Sequence, residues 1–252
     1  MSGVEGARCD EQLRFARDIA SAGPASSNVY SFSCRENRAF GFGPIEAEFL
    51  YKYIAARRPR SIIQIGAGVS TSVILQGARA AAYTPTVCCI DPYPTEFLKQ
   101  LSAIKTIELL ALPAEEINST IVSRLSKGDL FFVDSTHTLG PAGEVTRLIL
   151  EWLPQLSPGV HVHFHDIYFP YDYNPNILQS ALFFPHETAL LHAFLCLNHS
   201  FRILCSLSML HHYRQSELME LFSRFSPMQM DDGVMIKDGH FPSSIYIERM
   251  DA

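Results

Sequence analysis

The sequence predicts an α/β fold: a mostly parallel sheet with helices on both faces. Short apolar runs of about six residues alternate with helix-like stretches, the pattern of strands buried on both sides. The first run closes on a glycine turn that opens a helix, and three runs end in aspartate, at Asp91, Asp134 and Asp166. In open α/β sheets ligands sit outside the carboxyl ends of the strands, so those aspartates mark one edge as the working edge.

The elements follow in order. Residues 9–22 and 44–57 read as amphipathic helices joined by a Ser/Asn/Gly-rich link. "SIIQIG" (61–66) is the first strand, with a helix from Ser70. "TVCCID" (86–91), "TIELLAL" (106–112), "DLFFVD" (129–134) and "HVHFHD" (161–166) are the next four, and "AGEVTRLILEWLPQL" is a helix between the last two. "FRILCSL" (201–207) is a sixth strand. A helix near 215–224 precedes "DDGVMIKDGHFPSSIYIERM", which reads as a terminal hairpin or an added edge strand. Repeats and low-complexity segments are absent from the sequence.

Composition narrows the function classes. Of 252 residues 47% are apolar and 18% charged, enough for a full core. The formal charge is −6 and no basic stripe is present, which argues against a nucleic-acid partner. No window reaches about 18 apolar residues and the first residues lack an apolar signal segment, so neither membrane spanning nor secretion is expected. Six cysteines without C-x-x-C spacing, three of them inside strand-like runs, suit reduced thiols and a cytoplasmic location.

"QIGAGVSTSVIL" places Gly66 and Gly68 after the first strand, where glycine permits a tight turn and close backbone approach to a ligand. A dinucleotide fingerprint wants a third glycine at position 71, where Thr71 stands, and this weakens a nicotinamide-dependent oxidoreductase. Asp91, ending the second strand, suits the two hydroxyls of an adenosine ribose. An ordinary strand–helix turn with a capping aspartate is the bland alternative.

Four motifs in order, "IGAGVST", "IDP", "DLFFVDSTH" and "LPQLSPGVHVHFHDI", resemble class I S-adenosylmethionine-dependent methyltransferases, in particular the small-molecule group with I-G-x-G-x-S-T, V-D-x-x-H and P-G…H-D. The resemblance covers roughly residues 45 to 210. It implies a Rossmann-like seven-stranded sheet with an antiparallel last strand, suiting "SSIYIERM". It also implies a methyltransferase domain over 59–252 with 1–58 as a helical extension packed on it. S-adenosylmethionine would be the cofactor. Gly66 and Gly68 would pass its methionine part, with Gln64, Ser70 and Thr71 around that loop. Asp91 would hold the ribose, Pro113 and Ala114 of "LPAEE" would line the adenine, and Asp134 would close the site. Gln64 stands where the family usually has a carboxylate, and Ala114 where a side-chain acceptor for the adenine amine is common.

His161, His163 and His165 alternate with apolar residues, so strand geometry puts all three on one face. His161 and His163 lie deeper and read as neutral core imidazoles, each with a hydrogen-bonded ring nitrogen. In the implied fold Asp134, His137, His165 and Asp166 converge at the mouth where a methyl group would be transferred. An imidazole there suits a general base toward a small-molecule acceptor, by O-methylation of a hydroxyl, sugar or carboxylic acid before N-methylation. The same four residues as ligands of a divalent metal rank second, because their spacing is not a metal signature. "DIYFPYDYNPN" reads as an acceptor lid, with Tyr168, Tyr171, Asp172 and Tyr173 as candidate acceptor contacts; His186, a further acceptor candidate, and Glu187 follow close to that lid. His211 and His212 carry no assigned role. Rival readings are a metal-dependent hydroxylase or hydrolase on the same scaffold, and a non-catalytic binding protein. The oligomeric state, a homodimer included, is open.

Overall fold

A computed structural model describes residues 1, 3–22, 28–179 and 184–251. Three helices come first: α1 (Cys9–Ala22), α2 (Val29–Asn37) and α3 (Pro44–Arg57). There follow β1 (Ser61–Ile65), α4 (Val69–Ala80), β2 (Thr86–Ile90), α5 (Glu96–Ala103), β3 (Glu108–Leu110) and β4 (Leu130–Val133). Next come α6 (Glu144–Arg147), continued by a π-helical turn through Trp152, and β5 (His161–Phe164). The chain then runs through α7 (Glu187–Leu195), β6 (Phe201–Ser206), α8 (Leu207–Tyr213), α9 (Gln215–Leu221), β7 (Gln229–Asp231), β8 (Val234–Lys237) and β9 (Ile245–Arg249).

Seven strands form one sheet in the order β3-β2-β1-β4-β5-β9-β6. All pairings are parallel except those of β9, which runs antiparallel between β5 and β6. β7 and β8 form a separate hairpin. The last strand is therefore interior rather than an added edge, and Ile245, Tyr246 and Ile247 are fully buried.

The sheet divides the core. On one face Ile62, Val87, Cys89, Leu130, Phe132 and Tyr246 pack beneath residues of α1, α3 and α4. On the other Ile63, Ile65, Phe131, Val133, Val162 and Phe164 pack against Val145, Leu148 and Trp152. Residues of 1–58 thus share one apolar cluster with the sheet. Helix α3 starts at Pro44, where a missing N–H costs nothing, and stops at Arg58 in the left-handed region (φ 51°). It differs from the amphipathic expectation: Ile45, Glu46, Ala47, Phe49, Leu50, Tyr51, Tyr53 and Ile54 are all buried. The other helices of that layer and the sheet wrap it on most sides.

Two further boundaries differ from expectation. The third strand shrinks to three residues, and Ser206 ends β6 by accepting the Met209 N–H, so a helix α8 begins where a strand was expected to run on. The start of β4 is tied to that of β1 by Asp129. One of its buried carboxylate oxygens accepts the Arg60 and Ser61 N–H groups (3.0 and 2.9 Å), and the other accepts from the Ser126 N–H and hydroxyl.

The three histidines of the fifth strand do face one side. His161 Nδ1 shares a 2.7 Å hydrogen bond with the Tyr53 hydroxyl. His163, fully buried, stacks on Phe132 (4.2 Å, 10°) and shares a 3.0 Å hydrogen bond with Ser244. Burial pushes His161 down to about 4 and, with His165 beside it, holds His163 well below its ordinary value. Both are neutral core groups. Replacing His163 with alanine should cost roughly 1–3 kcal/mol in denaturant unfolding while S-adenosylhomocysteine affinity in the folded fraction stays unchanged. A stable variant with no turnover would contradict this reading.

Candidate active site

The carboxyl ends of β1, β2 and β4 are drawn together by hydrogen bonds that continue past the strands. The Gly66, Asp91 and Asp134 N–H groups donate to the Ile90, Leu110 and Ile65 carbonyls, at 3.0–3.1 Å. Gly66 sits at φ 69°, and a Cβ there would lie 2.1 Å from the Asp134 carbonyl oxygen, so only glycine lets the two loops meet. Gly68 (φ 141°) instead faces open space, its nearest neighbour being Asn37 Oδ1 at 3.5 Å from an ideal Cβ.

Beneath the loop, Thr71 replaces the absent glycine with a brace. Its hydroxyl accepts the Gly68 N–H (3.0 Å) and donates to Gln64 Oε1 (2.8 Å), while Gln64 Nε2 donates to Ser70 Oγ (2.6 Å). Gln64 is fully buried and both ends of its amide are occupied within the loop. Asp91 is oriented by two backbone donors, Ala67 N at 2.9 Å and Tyr93 N at 2.7 Å. Pro113 precedes a turn of 3₁₀ helix, Ala114–Glu116, in which Ala114 is buried and whose carbonyls Arg147 holds. Above the loop, residues 37–42 roof a cleft of about 140 Å³ lined by Ala67, Gly68, Val69, Ser70, Thr95 and Asp134. A larger groove, about 450 Å³, lies on the far side of α4 between α2 and α5, away from these groups.

Asp134 leads from that cleft into a cluster of imidazoles and carboxylates. His137 Nε2 lies 3.4 Å from Asp134 and 3.6 Å from Asp166. His165 Nδ1 lies 3.6 Å from Asp134 and 3.4 Å from Asp166, and neither of its ring nitrogens has a closer hydrogen-bond partner. The four residues that the sequence pointed to therefore alternate, carboxylate and imidazole, around one opening. His137 (φ 60°) and Asp166 (φ 57°) are both in the left-handed region, a strained state for non-glycine residues that clusters at working sites. Asp166 accepts a hydrogen bond from the Ser243 hydroxyl at 2.8 Å. Among the described residues, no group of three or more His, Cys, Asp or Glu side chains is arranged to hold a metal ion.

Electrostatics sets the protonation. Burial opposes charge on every member, yet the mutual attraction outweighs it. Asp134 is held well below the carboxylate range by His165 and His137, and Asp166 by the same pair. His137 is raised to about 10, burial being overcome by Asp134 and Glu187; His165 is raised well above its ordinary value by Asp166 and Asp134. Phe42 covers His165 at 4.9 Å and excludes water from that side.

Residues 63–167, which hold the glycine loop, Asp91, Asp134, His137, His165 and Asp166, match the family model described as a methyltransferase domain. The chain carries a methyltransferase domain. No curated protein sequence matches it. Similar solved structures include the SAH-bound methyltransferase PaMTH1 of Podospora anserina, at 14% identity over 94% of each chain with a TM-score of 0.45. Another is a putative O-methyltransferase from Klebsiella pneumoniae, at 14% identity, 96% of this chain and 99% of that one, TM-score 0.47. A third is the 1,6-didemethyltoxoflavin-N1-methyltransferase of Burkholderia thailandensis, at 13% identity, 94% and 87% coverage, TM-score 0.40. No helix among the described residues is long and apolar enough to cross a membrane.

The expected acceptor residues of the methyltransferase domain are spread around the opening. Tyr168 is buried beside Asp166, its ring stacked on Phe241 at 6.2 Å. Tyr171 turns to α8 instead, sharing a 2.7 Å hydrogen bond with His212. Tyr173 is exposed and meets Phe184 edge-on at 5.6 Å. His186 is exposed, and its backbone rather than its ring bonds to the site, donating to the His137 carbonyl at 2.7 Å. Sequence reading did not place Glu46, Ser243 or Phe42 at this site, and noted Glu187 only as a neighbour of the lid. Glu46 is buried in α3 and accepts the Ser243 N–H (3.0 Å). A carboxylate set directly between Ile45 and Ala47 was the one available signal.

Proposed function

We propose that the chain transfers a methyl group from S-adenosylmethionine to a hydroxyl oxygen of a small-molecule acceptor, with His165 as the base. One observation carries the reading. Within the methyltransferase domain, a glycine-floored cleft opens, through Asp134, onto two imidazoles and two carboxylates. In this reading Gly66 and Gly68 pass the methionine part of the cofactor, Asp91 holds its ribose, and Pro113 and Ala114 line the adenine. The cofactor supplies an electrophilic methyl on a sulfonium. The protein supplies alignment of the acceptor and removal of its proton.

Neither ring nitrogen of His165 has a hydrogen-bond partner, Phe42 screens the ring from water, and the aspartates that flank it hold its proton, which it must lose before it acts as the base. His137, raised to about 10, is the cation that keeps Asp134 and Asp166 ionised and in place beside it. Tyr168 and Tyr173, with His186 at the edge, are the acceptor contacts in this reading. The alternate imidazole–carboxylate ring is also what sets apart a catalyst from a protein that only binds the cofactor.

Gly68→Val tests the cofactor site. The substitution forces a β-branched side chain to φ 141° and into the cleft, so calorimetric titration should show S-adenosylhomocysteine binding lost, by a factor of at least about 100. Unchanged affinity in a folded variant would overturn the assignment. Screening phenols, sugars and carboxylic acids for methyl transfer then identifies the acceptor class.

A further inference from the structure

Glu187 is the first residue of α7, fully buried, and 50 positions from the imidazole it meets. Its Oε2 accepts from His137 Nδ1 at 2.8 Å and its Oε1 from the Ser135 hydroxyl at 2.8 Å. Ser135 Oγ in turn accepts the His137 N–H at 3.2 Å. The His137 carbonyl accepts the His186 and Glu187 N–H groups, at 2.7 and 3.2 Å. Backbone and ring of a strained residue (φ 60°) are thus both clamped by the first turn of one helix. No other ion pair of Glu187 is present among the described residues. A buried carboxylate with one imidazole and one hydroxyl as partners has a narrow purpose: it accepts hydrogen bonds, and it requires the proton on Nδ1.

We propose that Glu187 is the positioning residue of His137, holding its Nδ1–H so that the doubly protonated ring presents Nε2–H between Asp134 and Asp166. Without that bond the ring can flip, and it loses one of the carboxylates that keep both of its nitrogens protonated. Only with both protons in place does the ring donate to Glu187 and to the pair of aspartates that flank His165 at once. Glu187 touches neither Asp134 nor Asp166 in this arrangement and acts through His137. The inference rests on the methyltransferase reading for its effect on rate, and on geometry alone for its effect on the ring.

The test uses the full-length protein with ¹⁵N-labelled histidine, and E187A and E187Q variants. In the wild-type protein the His137 Nδ1–H should give an exchange-protected proton resonance well downfield of the amides. E187A should lose it, and kcat should fall about 10–100-fold with KM and S-adenosylhomocysteine affinity little changed, the cost of a misplaced catalytic group. E187Q, whose amide oxygen still accepts the Nδ1–H, should retain the resonance and most of the rate. If E187A does not fold, E187Q and the wild-type ring carry the test: a wild-type His137 protonated on Nε2 alone overturns the proposal. So does a resonance that persists in E187A, or an E187A enzyme with wild-type kcat. The spectra are read without turnover, so a protein that shows the expected resonances but transfers no methyl group would refute the proposed function and leave the role of Glu187 toward His137 standing.

Discussion

His165→Ala should slow methyl transfer by about 10²–10⁴-fold while S-adenosylhomocysteine still binds, as expected for loss of a general base that does not touch the glycine loop. The pH profile carries a second, independent sign. A base works only when deprotonated, and Asp166 and Asp134 raise His165 well above the ordinary imidazole range. The rising limb of kcat in the wild-type enzyme should therefore lie on the alkaline side of that range, and His165→Ala should remove it. Cofactor binding brings a further positive charge to the cleft beside Asp134, which moves the limb back toward neutrality in the ternary complex. Full activity of His165→Ala would leave His137 as the imidazole to test. Exhaustive chelation is a control on the same preparation: activity should survive it. Loss that a divalent ion restores would turn Asp134, His137, His165 and Asp166 from proton-handling groups into ligands.

The largest loss of stability outside the apolar core is expected at Asp129→Ala. The wild-type carboxylate is buried and takes hydrogen bonds from three backbone N–H groups and one hydroxyl. Alanine leaves those donors without an acceptor at the shared origin of β1 and β4, at a cost of roughly 3–5 kcal/mol. Urea unfolding should show a lower midpoint with an unchanged slope. Asp129→Asn, which keeps an acceptor oxygen, should lose less. An unfolding free energy within about 0.5 kcal/mol of wild type for Asp129→Ala would mean that water replaces the carboxylate at no cost.

Much of this architecture was legible in the sequence, because the features that carry it are local. Gly66 and Asp134 could be read since a strand end followed by glycine or aspartate is a pattern within six residues, and the structure brings them into contact through backbone alone. His165 and Asp166 were legible for the same reason. Helix α8 was not: "FRILCSLSML" continues apolar past the strand, and Ser206, a single small residue, is the sole mark of the cap. The burial of α3 on nearly all sides depends on α1, α2 and α4 packing around it, which no window of its own residues encodes. Glu187 was hidden by a different effect. An acidic residue in the first turn of a helix is what helix electrostatics alone would place there, so its link to His137 is invisible without the fold. Tyr171 shows the converse, since an aromatic residue in a lid invites a role toward the acceptor, yet its hydroxyl is taken by His212.

The interior position of β9 leaves the sheet open until the end of the chain is in place. Residues 243–249 come after every other strand, yet they separate β5 from β6 and supply Ser243 and Ser244 to Asp166, Glu46 and His163. Contacts made across nearly 200 residues, such as Ser243 with Glu46, require closure of almost the whole chain before they repay its lost freedom. A chain that stops short of residue 243 has a five-stranded sheet with β5 as an unpaired edge, and β6 as a lone strand, each open to pairing with another chain. In such a chain the glycine loop can already be shaped while Asp166 lacks the hydroxyl that holds it. The cluster around Asp166 is thus the part of the domain whose partners are synthesised last, after every residue of the glycine loop and its strand.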